Sequence, residues 1–187
     1  MSLERLQQAS RVLIIGGARS GKSTLAERLL ADEPAVDYVA TSAAASGDPE
    51  WDARVATHRD RRPEHWTTLE SLDLVSLLGT DGPPLIIDCL TVWLTRMMDS
   101  HDAWNDAAWP QAEKLLAEDV DALVDAFAAT SRRVVLVTNE VGQGVVPAAA
   151  SVRRFRDQMG WLNQRIAAVS DEVAWSVAGR FVLLESS

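Results

Sequence analysis

The sequence predicts an α/β fold in which a mostly parallel sheet is flanked by helices, and three observations support this class. Short, continuous apolar runs rich in β-branched residues recur along the chain, as buried parallel strands do. Segments with helical apolar spacing lie between those runs. A glycine-rich turn joins the first run directly to a helix-forming segment. With 187 residues, no internal repeat and no long linker, we expect one such domain.

Composition and charge restrict the classes of function. The chain carries 18 Lys+Arg against 27 Asp+Glu, and its formal net charge of −9 disfavours nucleic acid and anionic membranes as partners. Its one cysteine, Cys89, allows neither an internal disulfide nor a cysteine-based metal cage. The sequence shows no apolar stretch of about 18 residues and no apolar core of a secretion signal. We therefore expect a soluble, cytoplasmic protein.

The first half of the chain predicts two strands and one helix. Residues 1–10 are polar and are expected either to fray or to form a short helical lead-in, so that the domain itself covers residues 11–187. The apolar run at residues 12–15 predicts the first strand, and residues 23–30 are compatible with a helix. A second short strand is expected at residues 36–40.

Two amphipathic helices are predicted in the second half. In each of them apolar residues recur alternately three and four positions apart, which places them on one helix face. The apolar positions of the first helix are Leu116, Val120, Leu123 and Phe127. Those of the second helix are Phe155, Met159, Leu162, Ile166, Val169 and Val173.

Four further strands and one charged segment complete the predicted order. The apolar runs at residues 85–87 and 134–137 are each followed by polar residues and predict parallel strands. Residues 175–177 and 181–184 predict a terminal strand pair. Residues 43–63 hold a charged helical piece.

The turn after the first strand matches the pattern G-x-x-x-x-G-K-[ST] between a strand and a helix. Its residues are Gly16, Gly17, Ala18, Arg19, Ser20, Gly21, Lys22 and Ser23. Such a turn directs backbone N–H groups and the positive end of a helix at phosphate oxygens. We expect Lys22 to reach the β- and γ-phosphates and Ser23 to bind Mg²⁺. An ordinary glycine turn is the alternative, but both flanks favour a P-loop (RecA-like) domain that binds a nucleoside triphosphate.

Polar residues follow two other predicted strands. Asp88 comes directly after residues 85–87 and is expected to hold Mg²⁺, directly or through water. Asn139 and Glu140 lie shortly after residues 134–137, where a parallel strand delivers residues to a ligand crevice. A capping or turn role is equally open for these last two residues.

A basic segment at residues 54–62 contrasts with the acidic chain. Its charged residues are Arg54, Arg59, Asp60, Arg61 and Arg62. Guanidinium groups can hold phosphate or pyrophosphate, although a solvated helix face is the common alternative for a charge run. His58 lies among them, and a neutral imidazole surrounded by cations keeps a nitrogen lone pair that can attack phosphorus.

An ordered series of segments runs through nearly the whole chain after Ser10. These segments are residues 16–23, 38–42, 58–63, 65–66, 70, 88–91, 137–142, 144–147, 155–157 and 163–165. In this order they resemble the bifunctional adenosylcobinamide kinase/adenosylcobinamide-phosphate guanylyltransferase family of cobalamin biosynthesis. The ordered set is far more specific than the phosphate-binding pattern alone.

The resemblance implies two reactions at one site. ATP or GTP first phosphorylates the hydroxyl of the aminopropanol arm of adenosylcobinamide. GTP then donates GMP to a histidine and releases pyrophosphate, and the phosphorylated corrinoid takes the GMP to give adenosylcobinamide-GDP. His58 is the only histidine in the matching segment at residues 58–63, with Thr57 before it where some members of the family carry a second histidine. The alternatives are a kinase without guanylyl transfer and a nucleotide-switched module acting on nucleic acid, which the acidic charge disfavours.

The resemblance also implies the nucleotide site and an assembly. Besides the phosphate-binding loop, the implied nucleotide-binding residues are Ala40, Thr41, Ser42, Arg59, Asp60, Arg61, Glu70 and Asp88. A carboxylate such as that of Glu70 can accept hydrogen bonds from guanine N1–H and the guanine amino group. The implied partners are adenosylcobinamide, its phosphate and further copies of this chain in a homotrimer.

Overall fold

The computed structural model describes residues 2–42 and 62–185. Seven strands were found there and are, in chain order, β1 (Arg11–Gly16), β2 (Asp37–Ala40), β3 (Thr67–Glu70), β4 (Leu85–Asp88), β5 (Val134–Asn139), β6 (Glu172–Val177) and β7 (Arg180–Leu184). They form one sheet in the order β3-β2-β4-β5-β1-β6-β7. Only the last pair, β6 with β7, is antiparallel among the described strands.

Helices cover both faces of this sheet. They are α1 (Ser2–Gln8), α2 (Lys22–Leu29), α3 (Leu74–Leu78), α4 (Leu90–Ser100), α5 (Trp109–Ala129) and α6 (Ala150–Ala168). The first two pack on one face through residues such as Leu6 and Leu25. The other four pack on the opposite face, where Leu116 and Leu162 join a larger apolar cluster. None of the helices in the described ranges is both long and apolar enough to cross a bilayer.

The central strands are apolar on both sides because both of their faces are covered. Leu13 points to the larger cluster, whereas its neighbours Val12 and Ile14 join the smaller one. All three side chains are fully buried. This arrangement explains why the strands appear in the sequence as continuous apolar runs rather than as alternating patterns.

Most of the predicted elements are confirmed, and one boundary is wrong. The second amphipathic helix was expected to include Val169 and Val173, and the next strand to begin at residue 175. Instead α6 ends at Ala168 and β6 begins at Glu172, with Val173 paired with Leu13. Val173 packs against the same apolar cluster as α6 does. Val173 therefore continues the apolar spacing of α6 only by coincidence, because β6 and α6 pack against the same core.

Three elements were not predicted from the sequence: the short elements β3 and α3, and the 11-residue helix α4. The strand β3 is the edge of the sheet, and its residues T-T-L-E are mostly exposed, so it offers no apolar run. The charged helical piece expected within residues 43–63 lies almost entirely outside the described residues.

Candidate active site

The phosphate-binding pattern forms a loop between β1 and α2, as its flanks predict. The loop leaves the sheet at Gly16, and α2 begins at Lys22. Gly21 has a φ of 99° and Arg19 a φ of 56°, both in the left-handed region. A glycine at position 21 therefore avoids the steric penalty that a side chain would bring there. Gly17, Ala18 and Arg19 are exposed.

The end of the chain holds this loop in place. The Ser20 carbonyl oxygen accepts hydrogen bonds from the Gly179 amide at 2.9 Å and from Ser176 Oγ at 3.0 Å. A Cβ on Gly16 would overlap the Ser176 carbonyl oxygen, so the strands β1 and β6 approach too closely for any side chain there. The loop conformation is thus fixed by contacts with the strand β6 and the turn that follows it.

Two buried polar side chains of the loop fit a phosphate ligand. The Lys22 ammonium is buried and donates a hydrogen bond to the Gly17 carbonyl oxygen at 2.6 Å. Ser20 Oγ is also buried and has no hydrogen-bond partner within residues 2–42 and 62–185. A buried hydroxyl without a partner is costly unless a ligand completes its bonding. Ser23, half-buried in the first turn of α2, adds a second hydroxyl.

The carboxyl ends of three neighbouring strands form a second part of the site. Glu70 of β3 is level with Ala40 of β2, and Ala40 is level with Asp88 of β4. The three residues therefore occupy one line across the sheet. Glu70 is exposed and Asp88 is half-buried. Between this line and the phosphate-binding loop lies β5, whose Asn139 is level with Gly16.

The Asp88 carboxylate is oriented by a buried tyrosine. Tyr38 Oη donates a hydrogen bond to Asp88 Oδ2 at 2.6 Å. The guanidinium of Arg62 lies 3.5 Å above the Tyr38 ring and also donates to Thr68 Oγ1 at 2.9 Å. Burial, followed by the charge of the Asp88 carboxylate, raises the pKa of Tyr38 well above its ordinary value. The hydroxyl thus remains protonated and keeps donating.

Thr41 ties the end of β2 to the chain after Asp88. Its buried hydroxyl donates to the Cys89 carbonyl oxygen at 2.8 Å and accepts from the Cys89 amide at 3.0 Å. Burial raises the pKa of the Cys89 thiol to about 11, so this group is a poor nucleophile at neutral pH. Ser42 follows immediately and is half-buried.

The backbone contacts of Asn139 and Glu140, at the end of β5, favour a capping or turn role over a role in ligand binding. The Asn139 amide donates to Thr91 Oγ1 at 2.9 Å, and the Glu140 amide donates to the Gly16 carbonyl oxygen at 3.1 Å. The Glu140 carboxylate accepts a hydrogen bond from the Gly142 amide. These contacts join the start of the phosphate-binding loop to β5 and shape the turn after it.

The donor groups at this edge suit Mg²⁺. This ion usually takes one or two carboxylates plus phosphate oxygens and water rather than a cage made by protein alone. The hydroxyl of Ser23, in the first turn of α2, and the carboxylate of Asp88, at the carboxyl end of β4, are oxygen donors of the kind that such a site uses. Within the described ranges, His, Cys, Asp and Glu side chains form no group of three that could hold a metal.

Some of the predicted residues cannot be placed. His58, Arg59, Asp60 and Arg61, together with Arg54, lie outside the described residues. Arg62, the last arginine of the same segment, contacts Tyr38 and Thr68.

The sequence analysis missed the roles of Tyr38, Ser176 and Gly179. The one available signal was for Tyr38, the only tyrosine of the chain, which sits within a predicted strand. Nothing local to residues 176 and 179 indicates that they contact a loop more than 150 positions earlier, where Ser176 bonds Ser20 at a separation of 156 residues.

Comparison with known proteins gives concordant matches. A family model described as cobinamide kinase / cobinamide phosphate guanyltransferase matches residues 12–184. The bifunctional adenosylcobalamin biosynthesis protein CobP of Pseudomonas aeruginosa is 45% identical over 174 residues, which cover 90% of this chain and 94% of the relative. Proteins named bifunctional adenosylcobalamin biosynthesis protein CobU are 41% identical in Salmonella typhimurium and 39% identical in Escherichia coli, each across 90% of this chain and 96% of the relative.

Proposed function

The chain belongs to the cobinamide kinase / cobinamide phosphate guanyltransferase family, and from this premise we propose which residues carry its two reactions. The protein is an adenosylcobinamide kinase and adenosylcobinamide-phosphate guanylyltransferase of cobalamin biosynthesis. The observation that supports the assignment of residues best is the phosphate-binding loop, which lies at the carboxyl edge of a parallel sheet that the family model spans. Residues 11–187 constitute the catalytic domain in this proposal.

In the kinase reaction, the acceptor hydroxyl oxygen attacks the γ-phosphorus of ATP or GTP. A bond from this oxygen to phosphorus forms, the bond to the bridging oxygen of the nucleoside diphosphate breaks, and the hydroxyl proton is released. Lys22 and the backbone amides of the loop stabilise the charge on the phosphate oxygens, which is the main catalytic contribution in phosphoryl transfer. The buried ammonium of Lys22 and the unpartnered hydroxyl of Ser20 support this role.

In the guanylyl transfer, the His58 imidazole attacks the α-phosphorus of GTP. The nitrogen–phosphorus bond forms as pyrophosphate leaves, and a phosphate oxygen of adenosylcobinamide phosphate then displaces the histidine. A covalent intermediate divides one difficult transfer into two easier steps. The support for His58 is its place among Arg59, Arg61 and Asp60 in the sequence.

The carboxyl ends of β2, β3 and β4, which carry Ala40, Glu70 and Asp88 and are called the acid end below, would serve the metal and the guanine. Ser23 and Asp88 would hold Mg²⁺, which neutralises phosphate charge when bound. The hydrogen bond from Tyr38 fixes Asp88 Oδ2 and so orients the carboxylate. Glu70 would accept hydrogen bonds from the guanine edge, and its exposed position at the end of β3 is compatible with this contact.

Location and assembly are further parts of the proposal. We expect a cytoplasmic enzyme that acts as a homotrimer, as the family resemblance implies. Light scattering on a size-exclusion column would test the trimer directly, since a mass equal to one chain under assay conditions would contradict it.

Transfer of label from α-labelled GTP to the protein tests the histidine intermediate. In the presence of Mg²⁺ and without a corrinoid, we expect acid-labile, alkali-stable label on the wild-type protein. The label should be absent from His58→Ala and present on His65→Ala, a matched control whose exposed imidazole lies seven positions further on. Wild-type protein that phosphorylates adenosylcobinamide but takes up no label would leave only the kinase activity.

A further inference from the structure

A cavity next to the phosphate-binding loop has no role in the mechanism proposed above. Its volume is about 170 Å³, and it lies between α2 and the β6–β7 hairpin. The side facing α2 is lined by Thr24, Leu25 and Arg28, and the side facing the hairpin by Gly179, Arg180 and Phe181. Whole small-molecule pockets have volumes of about 300 to 1,000 Å³, so this one fits part of a ligand, such as a nucleobase.

The cavity shares a wall with the phosphate-binding loop. Gly21 of the loop and Ser176 also line it. Ser176 Oγ and the Gly179 amide are the groups that hold the Ser20 carbonyl oxygen. Thr24 comes two positions after Lys22 on the first turn of α2. A nucleotide whose phosphates occupy the loop therefore has its ribose and base within reach of this cavity.

The lining suits the flat face of a base. Phe181 supplies a half-buried ring, and Arg28 and Arg180 supply exposed guanidiniums. No carboxylate of residues 2–42 or 62–185 forms an ion pair with either guanidinium. Aromatic rings and guanidinium planes both stack on nucleobases.

The strand order separates this cavity from the acid end of the edge. The hairpin lies on one side of β1, whereas β4, β2 and β3 lie on the other side, beyond β5. A triphosphate in the loop can therefore extend its nucleoside in either of two directions. When the α-phosphorus is attacked, the nucleoside must lie near the attacking histidine. When the γ-phosphorus is attacked, the nucleoside extends away from the acceptor.

We propose that the hairpin cavity binds the nucleobase and ribose of the triphosphate that donates its γ-phosphate in the kinase reaction. The guanine of the transferase reaction binds instead toward Glu70 and Asp88. Among its described lining residues the cavity has no Asp or Glu to accept hydrogen bonds from guanine, which agrees with this division. The inference rests on the proposed function, because it assigns two nucleotide positions to one loop.

Photolabelling with 8-azido-ATP tests where the base of the donor nucleotide binds, and it does not require catalysis. After irradiation with Mg²⁺ and no corrinoid, peptide mapping should find label within residues 24–28 or 179–181, and excess ATP should suppress it. Label found only within residues 38–70 would overturn the proposal. Because no turnover is needed, this result is independent of whether the protein phosphorylates adenosylcobinamide or forms the His58 intermediate.

Two substitutions in β7 provide the second test. Arg180→Ala and Phe181→Leu should each raise the KM for ATP in the kinase reaction by about tenfold, since base stacking is weakened. Phe181 packs against the smaller apolar cluster, and we expect leucine to keep an apolar contact there while removing the ring. Incorporation of α-labelled GMP from GTP should stay at the wild-type rate. Val182→Ala, on the exposed face of the same strand, should change neither reaction. Equal effects on both reactions, or no effect on the KM for ATP, would refute the proposed site.

Discussion

The two ends of the sheet edge are constructed in different ways. At β1, eight consecutive residues form the phosphate-binding loop, and we expect most of the groups that bind phosphate there to be backbone amides. At β2, β3 and β4, the site is assembled from side chains of separate strands, with the Tyr38–Asp88 hydrogen bond at its centre. The loop end is specified by one contiguous stretch of sequence, whereas the acid end depends on side chains that separate strands bring together.

This difference determines what the sequence can predict about the site. A loop of consecutive residues leaves a contiguous pattern, so its position between a strand and a helix was predicted and is confirmed, whereas the contact of Lys22 with phosphates stays a prediction. Asp88 was predicted as an acid at a strand end, and β4 does end there. Predicting its hydrogen bond to Tyr38 requires knowing that β2 is adjacent to β4, and no local sequence pattern shows this. The same holds for the support that Ser176 and Gly179 give to the loop.

The same contrast between local and non-local information applies to the prediction of the fold. Strands β1, β4 and β5 were predictable because burial on both faces forces continuous apolar runs. The edge strand β3 was missed because solvent removes that requirement on most of its positions. The end of α6 was misplaced because Val173 of β6 faces the core that α6 faces. The sequence thus predicts which residues are buried, but it does not always show whether a buried residue belongs to a helix or to a strand.

The largest expected effect concerns the lysine of the phosphate-binding loop. Lys22→Ala removes the ammonium that faces the phosphates, and we expect kcat/KM to fall by about 100- to 1,000-fold in both reactions. The matched control is Lys114→Ala, which changes the chain's other lysine at an exposed position of α5. Product formation and the far-ultraviolet circular dichroism spectrum would be measured on the three proteins. Unchanged turnover in Lys22→Ala would mean that backbone groups alone operate the loop.

A pair of glycine substitutions tests whether the close approach of β1 and β6 excludes a side chain at position 16. In Gly16→Ala the new Cβ would overlap the Ser176 carbonyl oxygen and approach Ser20 Oγ to 2.8 Å. We expect the free energy of unfolding to fall by about 1 to 3 kcal/mol. In Gly17→Ala the Cβ meets no heavy atom within 4 Å, so stability should change by less than about 0.5 kcal/mol. Urea titration of both variants checks the contrast, and equal stabilities would remove the claimed close approach between β1 and β6.

The smallest effect tests the side-chain network of the acid end through pH. Burial and the adjacent Asp88 carboxylate raise the pKa of Tyr38, with Glu27 acting in the same direction and Arg62 opposing it. In the unfolded chain the Tyr38 hydroxyl loses its proton near pH 10, whereas in the folded protein it keeps this proton at that pH. Stability due to Tyr38 is therefore complete below about pH 10 and is lost above it, by about 1.4 kcal/mol per pH unit.

Tyr38→Phe is the reference for this measurement, because it keeps the ring and removes only the titrating hydroxyl. The difference in unfolding free energy between the wild type and Tyr38→Phe should be constant from neutral pH to about pH 10 and decline above it. Tyr38 is the only tyrosine of the chain, so near-ultraviolet absorbance of tyrosinate reports on this residue alone. No tyrosinate should form before the protein unfolds. Tyrosinate in the folded protein near pH 10 would mean that the hydroxyl does not donate to Asp88, and the acid end would then lack the network that distinguishes it from the loop.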